Sequence, residues 1–499
     1  MRARHLILAL FVCGAAARSG EPHSGRVTIL HTNDMHAGFV PHEATWVNTN
    51  PKPLIGGFDE LARAVDSIRN ADGAVLLLDA GDVMTGNPIA DMEYEGAQGG
   101  ALIAMMNKIG YDAWCPGNHD LDVSQKNLNR LTHIAGFPTL CANLVRKNGT
   151  YVVNSQPYII VERGGLKIGI IGVMSQALYS LVNQNNLVGI RVISPIETTQ
   201  RWVNTLRERV DLLVALTHQG LEDDSLLAAN VTDLDVIVGG HSHTRLTTPK
   251  VVDGVIIVQA GANAEQLGIL TLTVDNQHVT HSMGELLPLW HRNKRPSTLV
   301  SAFIDSVQQK IDSSYSEVLA TVKADWLRGR GESDLGNFIT NAQQQAAGAE
   351  VGFMNIHGIR RDISAGPLTR RELYEVLPFR NVLTTFQLSG ERVRRAVKYA
   401  LTQKTAVQFS GISCRWRRRP DGTVEILSLD VGGKPLDAKR MYTCAASDYF
   451  IGEAKRYVGF EIPRVIYLQK TLFEVVEDAV REEKVIVPST KRFFMEVKF

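Results

Sequence analysis

Apolar residues in the first half of the chain fall into short continuous runs. These are Val27–His31, Val75–Leu78, Lys167–Val173, Leu212–Thr217, Val236–Gly239 and Ile256–Val258. Such runs, without polar alternation, predict strands buried on both faces. Between them Phe58, Leu61, Ala62, Val65 and Ile68 recur at helical spacing, and Thr199–Arg209 predicts a further helix. Strands alternating with helices predict an α/β unit. The polar stretch His291–Ser297 holds Arg292, Lys294, Arg295 and Pro296 and reads as a boundary. Val300–Ile311 then predicts a connecting helix. From about Tyr315 a second α/β unit follows, with helices at Leu335–Ala347, Arg370–Leu377 and Glu391–Leu401 and a strand at Val382–Leu388. Asp59 and Glu60 open the first helix, where carboxylates favour its dipole.

The first residues predict processing rather than fold. Arg2 and Arg4 precede the apolar run Leu6–Val12, and Ala15-Ala16-Ala17 offers a small-residue cleavage site, the order of a secretory signal peptide. Bulky Val12 before Cys13 argues against a lipid anchor. Cleavage after Ala17 leaves 51 basic against 52 acidic residues, a balance that gives no support to a nucleic-acid binder. No later stretch has the ~18 uninterrupted apolar residues of a membrane span. The expectation is an exported chain, periplasmic or secreted, with residues 1–17 removed. Its units are then 26–294, a linker helix at 295–314, and 315–499. Five cysteines in 499 residues exclude a disulfide-built scaffold. In an oxidising compartment Cys414 and Cys444, or Cys115 and Cys141, are candidate pairs, and four buried thiols are the alternative.

One constellation carries chemistry. Polar ligand-type residues follow the ends of successive predicted strands: Asp34 and His36, Asp82, Asn118 with His119, His218, then His241 and His243. Strand ends on one edge of a sheet converge in space. Carboxylate and imidazole donors suit divalent transition ions. Gly81, Gly117, Gly220, Gly239 and Gly240 adjoin them and allow close backbone approach. A lone histidine after a strand is more often structural than a ligand. Asp-x-His, Gly-Asp, Gly-Asn-His-Asp and Gly-His-Ser-His in this order are a joint pattern of another kind. His31, in the opening block, reads as structural. No Gly-rich nucleotide loop, Walker-type lysine or nucleophile-elbow serine is present. The sequons at Asn148 and Asn230 carry no weight without a eukaryotic source.

These blocks resemble the calcineurin-like metallophosphoesterase superfamily, and Ile29-Leu-His-Thr-Asn-Asp-Met-His36 resembles its 5′-nucleotidase branch. Leu335-Gly-Asn337, Asn355-Ile-His-Gly-Ile-Arg360 and Leu377-Pro-Phe-Arg-Asn381 extend the likeness from about residue 27 to about 450. The resemblance implies an N-terminal four-layer αββα sandwich and a smaller C-terminal α/β domain that grips the substrate. It implies two divalent ions, zinc, manganese or similar. Asp34, His36, Asp82 and His243 would hold one; Asp82, Asn118, His218 and His241 the other, with Asp82 shared. A shared carboxylate offsets the repulsion of two close cations. His119 is implied as a charge stabiliser and acid, oriented by Asp122, with Asp120 as rival orienting residue.

For the second half the resemblance implies substrate contacts at Arg330, Asn355, Arg360, Phe379, Asn381 and Tyr449. Arg328 rivals Arg330, and Phe450 rivals Tyr449 as the aromatic of a base clamp. Two places depart from the family. The Gly-Gly-Asp loop that would hold ribose hydroxyls is absent from Ser447-Asp-Tyr-Phe-Ile-Gly-Glu-Ala-Lys455, and His357 stands where the family has glycine. The implied activity is hydrolysis of nucleoside 5′-monophosphates to nucleoside and phosphate by metal-activated hydroxide, with nucleotide sugars as a further substrate class. Cyclic nucleotides or a sulfur ester are alternatives within this chemistry, and a non-catalytic secreted binding protein is the alternative outside it. The sequence leaves the oligomeric state undetermined.

Overall fold

The computed structural model describes residues 24–497 apart from 153, 293–296, 330 and 380. The signal segment with Cys13, four residues of the expected boundary (Asn293, Lys294, Arg295 and Pro296) and Arg330 lie outside the described residues.

The strand Ser24–Thr32 sits in the middle of a five-stranded sheet. Val75–Asp79 runs parallel to it, pairing Thr28 with Val75, and Gln266–Asp275 runs antiparallel, pairing Val27 with Leu272. A six-stranded sheet holds Leu166–Met174, Leu212–His218, Val236–Val238 and Val255–Val258 in parallel, with Tyr158–Arg163 and Lys250–Val252 as antiparallel edges. Alternate residues of each strand face opposite sides. Ile29, Leu76 and Leu78 therefore meet Ile168, Ile170 and Val214 in a core between the sheets. Leu30, Val75 and Leu77 point the other way and pack on the helices Phe58–Ala71 and Gly100–Ile109. Ile171, Val173 and Leu213 pack outward on Pro195–Leu206 and Leu221–Asn230. The result is the four-layer αββα sandwich, and it explains why its strands read as unbroken apolar runs.

The helix Ser301–Tyr315 follows, and its Ile304, Val307 and Ile311 join the N-terminal core. Beyond it a five-stranded sheet runs Val407–Ser410, Val351–Asn355, Met441–Ser447, Val382–Ser389, Ile466–Thr471. One face buries Met354, Leu383 and Ala445 against the helices Asp334–Ala346 and Leu472–Glu483. The other buries Phe353, Phe386 and Cys444 against Gly390–Gln403 and a four-stranded sheet that includes Ile412–Arg418. The two units touch through polar pairs. Asn87 Nδ2 donates to Glu375 Oε1 at 2.6 Å, Tyr374 OH to Asp91 at 2.5 Å, and Lys52 pairs with Asp325 at 2.7 Å. No helix among the described residues is long and apolar enough to cross a membrane.

The cysteine pairings are corrected. Cys115, Cys141, Cys414 and Cys444 are all buried free thiols. Cys414 and Cys444 lie on strands of different sheets, and the Cys115 and Cys141 thiols face separate acceptors, Val173 O and Asn143 Oδ1.

Candidate active site

Four strand ends deliver the donor residues to one place. Asp34 and His36 follow Ser24–Thr32, Asp82 follows Val75–Asp79, His218 ends Leu212–His218, and His241 and His243 follow Val236–Val238. Donor atoms of Asp34, His36 and His243 lie within 4.8 Å of one another, and so do those of Asp82, His218 and His241. Asn118 closes the second group, its Oδ1 3.2 Å from His218 Nε2. Asp82 Oδ2 lies 3.2 Å from the same nitrogen. The turns are tight. Asp34, His36, Asp82, His241 and His243 all take positive φ, a conformation costly for non-glycine residues and held only where surroundings enforce it. Gly117 is required here, since a Cβ on it would fall 2.2 Å from Asp82 Oδ1.

The donor set fits cations. His36 Nδ1 faces the carbonyls of Thr85 (3.2 Å) and Met84 (3.4 Å), and His218 Nδ1 faces Ala80 O at 2.6 Å. Carbonyls only accept, so both Nδ1 atoms carry the hydrogen, and Nε2 is left toward the cluster. His36 Nε2 and His243 Nε2 stand 3.0 Å apart. Asp34 Oδ1 is buried with no hydrogen-bond partner. Asp34 Oδ2, by contrast, accepts from Asn33 Nδ2 (2.7 Å) and His241 N (2.8 Å). Converging lone pairs and an orphaned carboxylate oxygen need a positive charge between them. The electrostatics agree. Burial opposes ionisation of Asp34, yet His243 and His218 hold its carboxyl below the usual range. Burial also opposes a charge on His218, and Asp82 outweighs it, raising that imidazole to about 10. Burial and the charge on His218 lower His241 to about 4.

His119 stands beside this cluster, its ring 5.4 Å from that of His36. Its Nδ1 lies 2.8 Å from Asp122 Oδ2. Asp120 is not the orienting residue. Its two oxygens take the backbone N–H groups of Asp82 (3.0 Å), Gly117 (2.7 Å) and Met84 (3.0 Å), so it fixes the turns. Two scaffold residues escaped the sequence reading. Asn33 ties Asp34 to Gly261 O at 2.7 Å, and Thr85 Oγ1 donates to Asp122 at 2.8 Å. Asn33 lies within the opening motif and Thr85 three residues after Asp82, and that nearness was their only signal. His31 is buried and burial lowers it to about 3, as a structural histidine requires.

The C-terminal unit reaches into the site. Arg360 Nη2 lies 3.0 Å from His36 Nε2. Phe379 packs against His119, ring centroids 5.4 Å apart at 33°, and Arg360 lies over the Phe379 ring at 5.6 Å. Asn355 is buried with Oδ1 unpartnered. Tyr449 is half-buried; burial raises its pKa, Asp122 adds to that shift, and Arg456 opposes it. Phe450 is fully buried and stacks on Tyr457, so it is not the exposed aromatic. Arg328 Nη1 is spent on the carbonyls of Ile359 (3.1 Å) and Arg360 (2.6 Å). Asn381 is joined through its carbonyl to Leu472 N at 2.8 Å, and no described contact brings its side chain to the cluster.

The chain is similar to known proteins in sequence and fold. A calcineurin-like phosphoesterase family model matches residues 27–245, and a 5′-nucleotidase C-terminal domain model matches 318–461. A 5′-nucleotidase of Bos taurus is 31% identical over 424 residues, 75% of this chain and 72% of that one. The chain belongs to the 5′-nucleotidase family. Protein UshA of Yersinia enterocolitica is 27% identical over 484 residues, covering 85% of this chain and 84% of its own. The crystal structure of a 5′-nucleotidase precursor from Thermus thermophilus superposes with a TM-score of 0.82 at 27% identity, covering 95% of this chain and all of that one. As a family member the chain is a metal-dependent hydrolase of phosphoester bonds, and its two units are the metallophosphoesterase domain and the 5′-nucleotidase C-terminal domain.

Proposed function

We propose that the chain is an exported phosphoesterase that hydrolyses nucleoside 5′-monophosphates, and nucleotide sugars as a further class, with two divalent ions. Residues 26–294 would form the catalytic domain, 295–314 the linker and 315–499 the substrate-binding domain. The signal-like residues 1–17 support export. The observation that carries the reading is the pair of buried donor groups, Asp34–His36–His243 and Asp82–His218–His241. Asp82 stands in the second set, with Oδ2 3.2 Å from His218 Nε2 and Oδ1 accepting the His119 N–H at 2.7 Å, and would be the carboxylate shared with the Asp34–His36–His243 set.

Two ions bound there would supply Lewis acidity toward the phosphoryl oxygens and toward water. The neutral amide of Asn118 keeps the centre cationic enough for a phosphate dianion. Arg360 reaches the same space and would pair with a phosphoryl oxygen. His119 commits Nδ1–H to Asp122, so Nε2 is the atom for the leaving group. Burial opposes its proton, but Asp122 and Asp82 raise its pKa. As the phosphorus–oxygen bond breaks, the electron pair stays on the leaving oxygen, which takes the Nε2 proton.

The test is hydrolysis of AMP, UMP, a UDP-sugar and a 2′,3′-cyclic nucleotide by purified protein, stripped of metal and reloaded with Mn²⁺ or Zn²⁺, read as phosphate from the monophosphates and as the nucleotide product from the other two. Monophosphate turnover returning with about two ions per chain supports the reading. Turnover that survives exhaustive chelation, or none with any metal, overturns it. N-terminal sequencing of protein recovered outside the cytoplasm tests cleavage after Ala17.

A further inference from the structure

His241 and His243 belong to different donor groups, yet only Ser242 separates them. Both take positive φ, 79° and 52°. A loop with two such non-glycine residues keeps its shape only where the surroundings enforce it. The neighbouring strand supplies the enforcement. Val255–Val258 runs parallel to Val236–Val238 with Val258 beside Val238, and Gly239 N donates to Val258 O at 2.9 Å. The next residue, Gln259, is fully buried and directs its amide at the loop. Its Oε1 accepts from Ser242 Oγ at 2.8 Å and from Thr244 N at 2.6 Å, and its Nε2 donates to Gly240 O at 2.8 Å. The backbone partners fix which end of the amide is which, since an N–H needs the oxygen and a carbonyl needs the nitrogen. One side chain thus grips Gly240, Ser242 and Thr244, the positions before, between and after the two histidines. The residues that follow it grip the opening block. Ala260 N donates to Asn33 Oδ1 at 2.7 Å, and Asn33 Nδ2 donates to Gly261 O and to Asp34 Oδ2, each at 2.7 Å. The segment 259–261 therefore reaches ligand-bearing residues of both donor groups.

Resting on the two-ion phosphoesterase reading above, we propose that Gln259 is a positioning residue of the metal centre, holding His241 and His243 at the separation that lets each serve its own ion. The grip needs an acceptor and a donor at this length. Glutamate offers the acceptors alone, asparagine is one methylene shorter, and methionine fills the volume without a donor. With the amide gone, Gly240 O and Thr244 N lose their partners, and nothing else described holds the loop at both ends of the histidine pair. The loss falls on the ions more than on the fold, because the loop's shape decides where both imidazoles stand.

The experiment strips the full-length enzyme of metal and titrates it with Mn²⁺, comparing wild type with Gln259→Met, Gln259→Glu and Gln343→Met. Ions bound per chain, Mn²⁺ affinity and the rise in Tm on adding Mn²⁺ are read beside AMP turnover. Gln343 is the control. It is equally buried, and its Nε2 donates to Phe353 O at 2.8 Å and Ala445 O at 3.2 Å in the C-terminal unit. Gln259→Met should bind Mn²⁺ about 10–100-fold more weakly, the scale for residues that support metal ligands. Its Tm rise on adding metal should shrink, since a ligand stabilises the native state by its affinity. Turnover should return in part when Mn²⁺ is raised to match. Gln259→Glu keeps both accepted bonds and loses only the one to Gly240 O, so its affinity should fall between wild type and Gln259→Met. Gln343→Met should lower Tm equally with and without metal and leave Mn²⁺ affinity unchanged. Should Gln259→Met fail to fold, Gln259→Glu decides: weakened binding supports the role, and wild-type binding overturns it. Wild-type affinity and a full Tm rise in both Gln259 variants, or an equal weakening in Gln343→Met, overturns the positioning role and leaves the phosphoesterase reading standing. A wild-type enzyme that binds no Mn²⁺ and hydrolyses no AMP overturns that reading, and the positioning role with it.

Discussion

Asp122 Oδ2 receives both His119 Nδ1 and Thr85 Oγ1, each at 2.8 Å. The second bond comes from the loop that carries Asp82, so the carboxylate is held against the histidine by the backbone segment that builds the metal site. His119 is therefore oriented without being one of the clustered donors. His119→Ala should lower kcat about 10²–10⁴-fold, the range of acid–base catalysis, while elemental analysis still finds close to two ions per chain. Asp122→Asn should lower kcat in the same direction by less. Loss of metal in His119→Ala would reassign the residue.

Asp82 is the carboxylate proposed as shared by the two ions, and it belongs to the second donor group. Its Oδ2 faces His218 at 3.2 Å and its Oδ1 accepts the His119 amide at 2.7 Å. Asp82→Asn keeps the size and removes the charge. Bound metal should fall well below two per chain, with turnover down by orders of magnitude, because a neutral amide cannot offset cation repulsion. Full metal content in this variant contradicts the shared-ligand assignment.

The strand-end donors were legible because parallel strands buried on both faces stand out as apolar runs, and the residue after such a run is placed by the sheet itself. The hairpin Gln266–Asp275 and His278–Pro288 escaped for the opposite reason: its second strand is largely exposed and has no apolar run. The choice between Asp120 and Asp122 was not readable either. Both lie close after His119, and only the turn that feeds Asp120 into three backbone N–H groups separates them. Contacts between units, such as Phe379 on His119, depend on how two domains meet and leave no periodic trace.

The thiols give a prediction independent of catalysis. Burial raises the pKa of Cys141, Cys414 and Cys444 to about 12 and that of Cys115 well above normal. The thiolate is the reactive form. A thiol reagent should therefore find essentially no fast-reacting group in the native mature chain and four after unfolding in guanidinium. Two or fewer after unfolding under non-reducing conditions would restore a disulfide.

Glu375 ties the units together. Its side chain accepts from Asn87 Nδ2 at 2.6 Å and pairs with Arg361, with little exposure of either Asn87 or Glu375. Glu375→Ala strands a buried amide donor, which costs about 1–3 kcal/mol. The urea midpoint should fall accordingly. Glu375→Gln retains an acceptor for Asn87 and should lose less. Equal losses in the two variants would mean that the Arg361 pair, not the Asn87 bond, carries the contact.

Phe379 stands between two roles. Its ring lies 5.4 Å from His119 and under Arg360, yet the residue is only half-buried, so part of the ring is open to a ligand. A base stacked on it would contribute ~1–3 kcal/mol, so Phe379→Ala should cost roughly 5- to 150-fold in kcat/KM for a nucleotide. p-Nitrophenyl phosphate carries no nucleobase and should lose only what looser packing of His119 takes away. The two contributions separate by parameter. Lost stacking raises KM for the nucleotide, while a displaced His119 lowers kcat on both substrates. Phe379→Leu sharpens the comparison, since leucine fills the space beside His119 without a π-face. Recovery of p-nitrophenyl phosphate turnover in Phe379→Leu, with the nucleotide still impaired, would assign the ring to the base. Recovery on both substrates would assign it to the support of His119 alone.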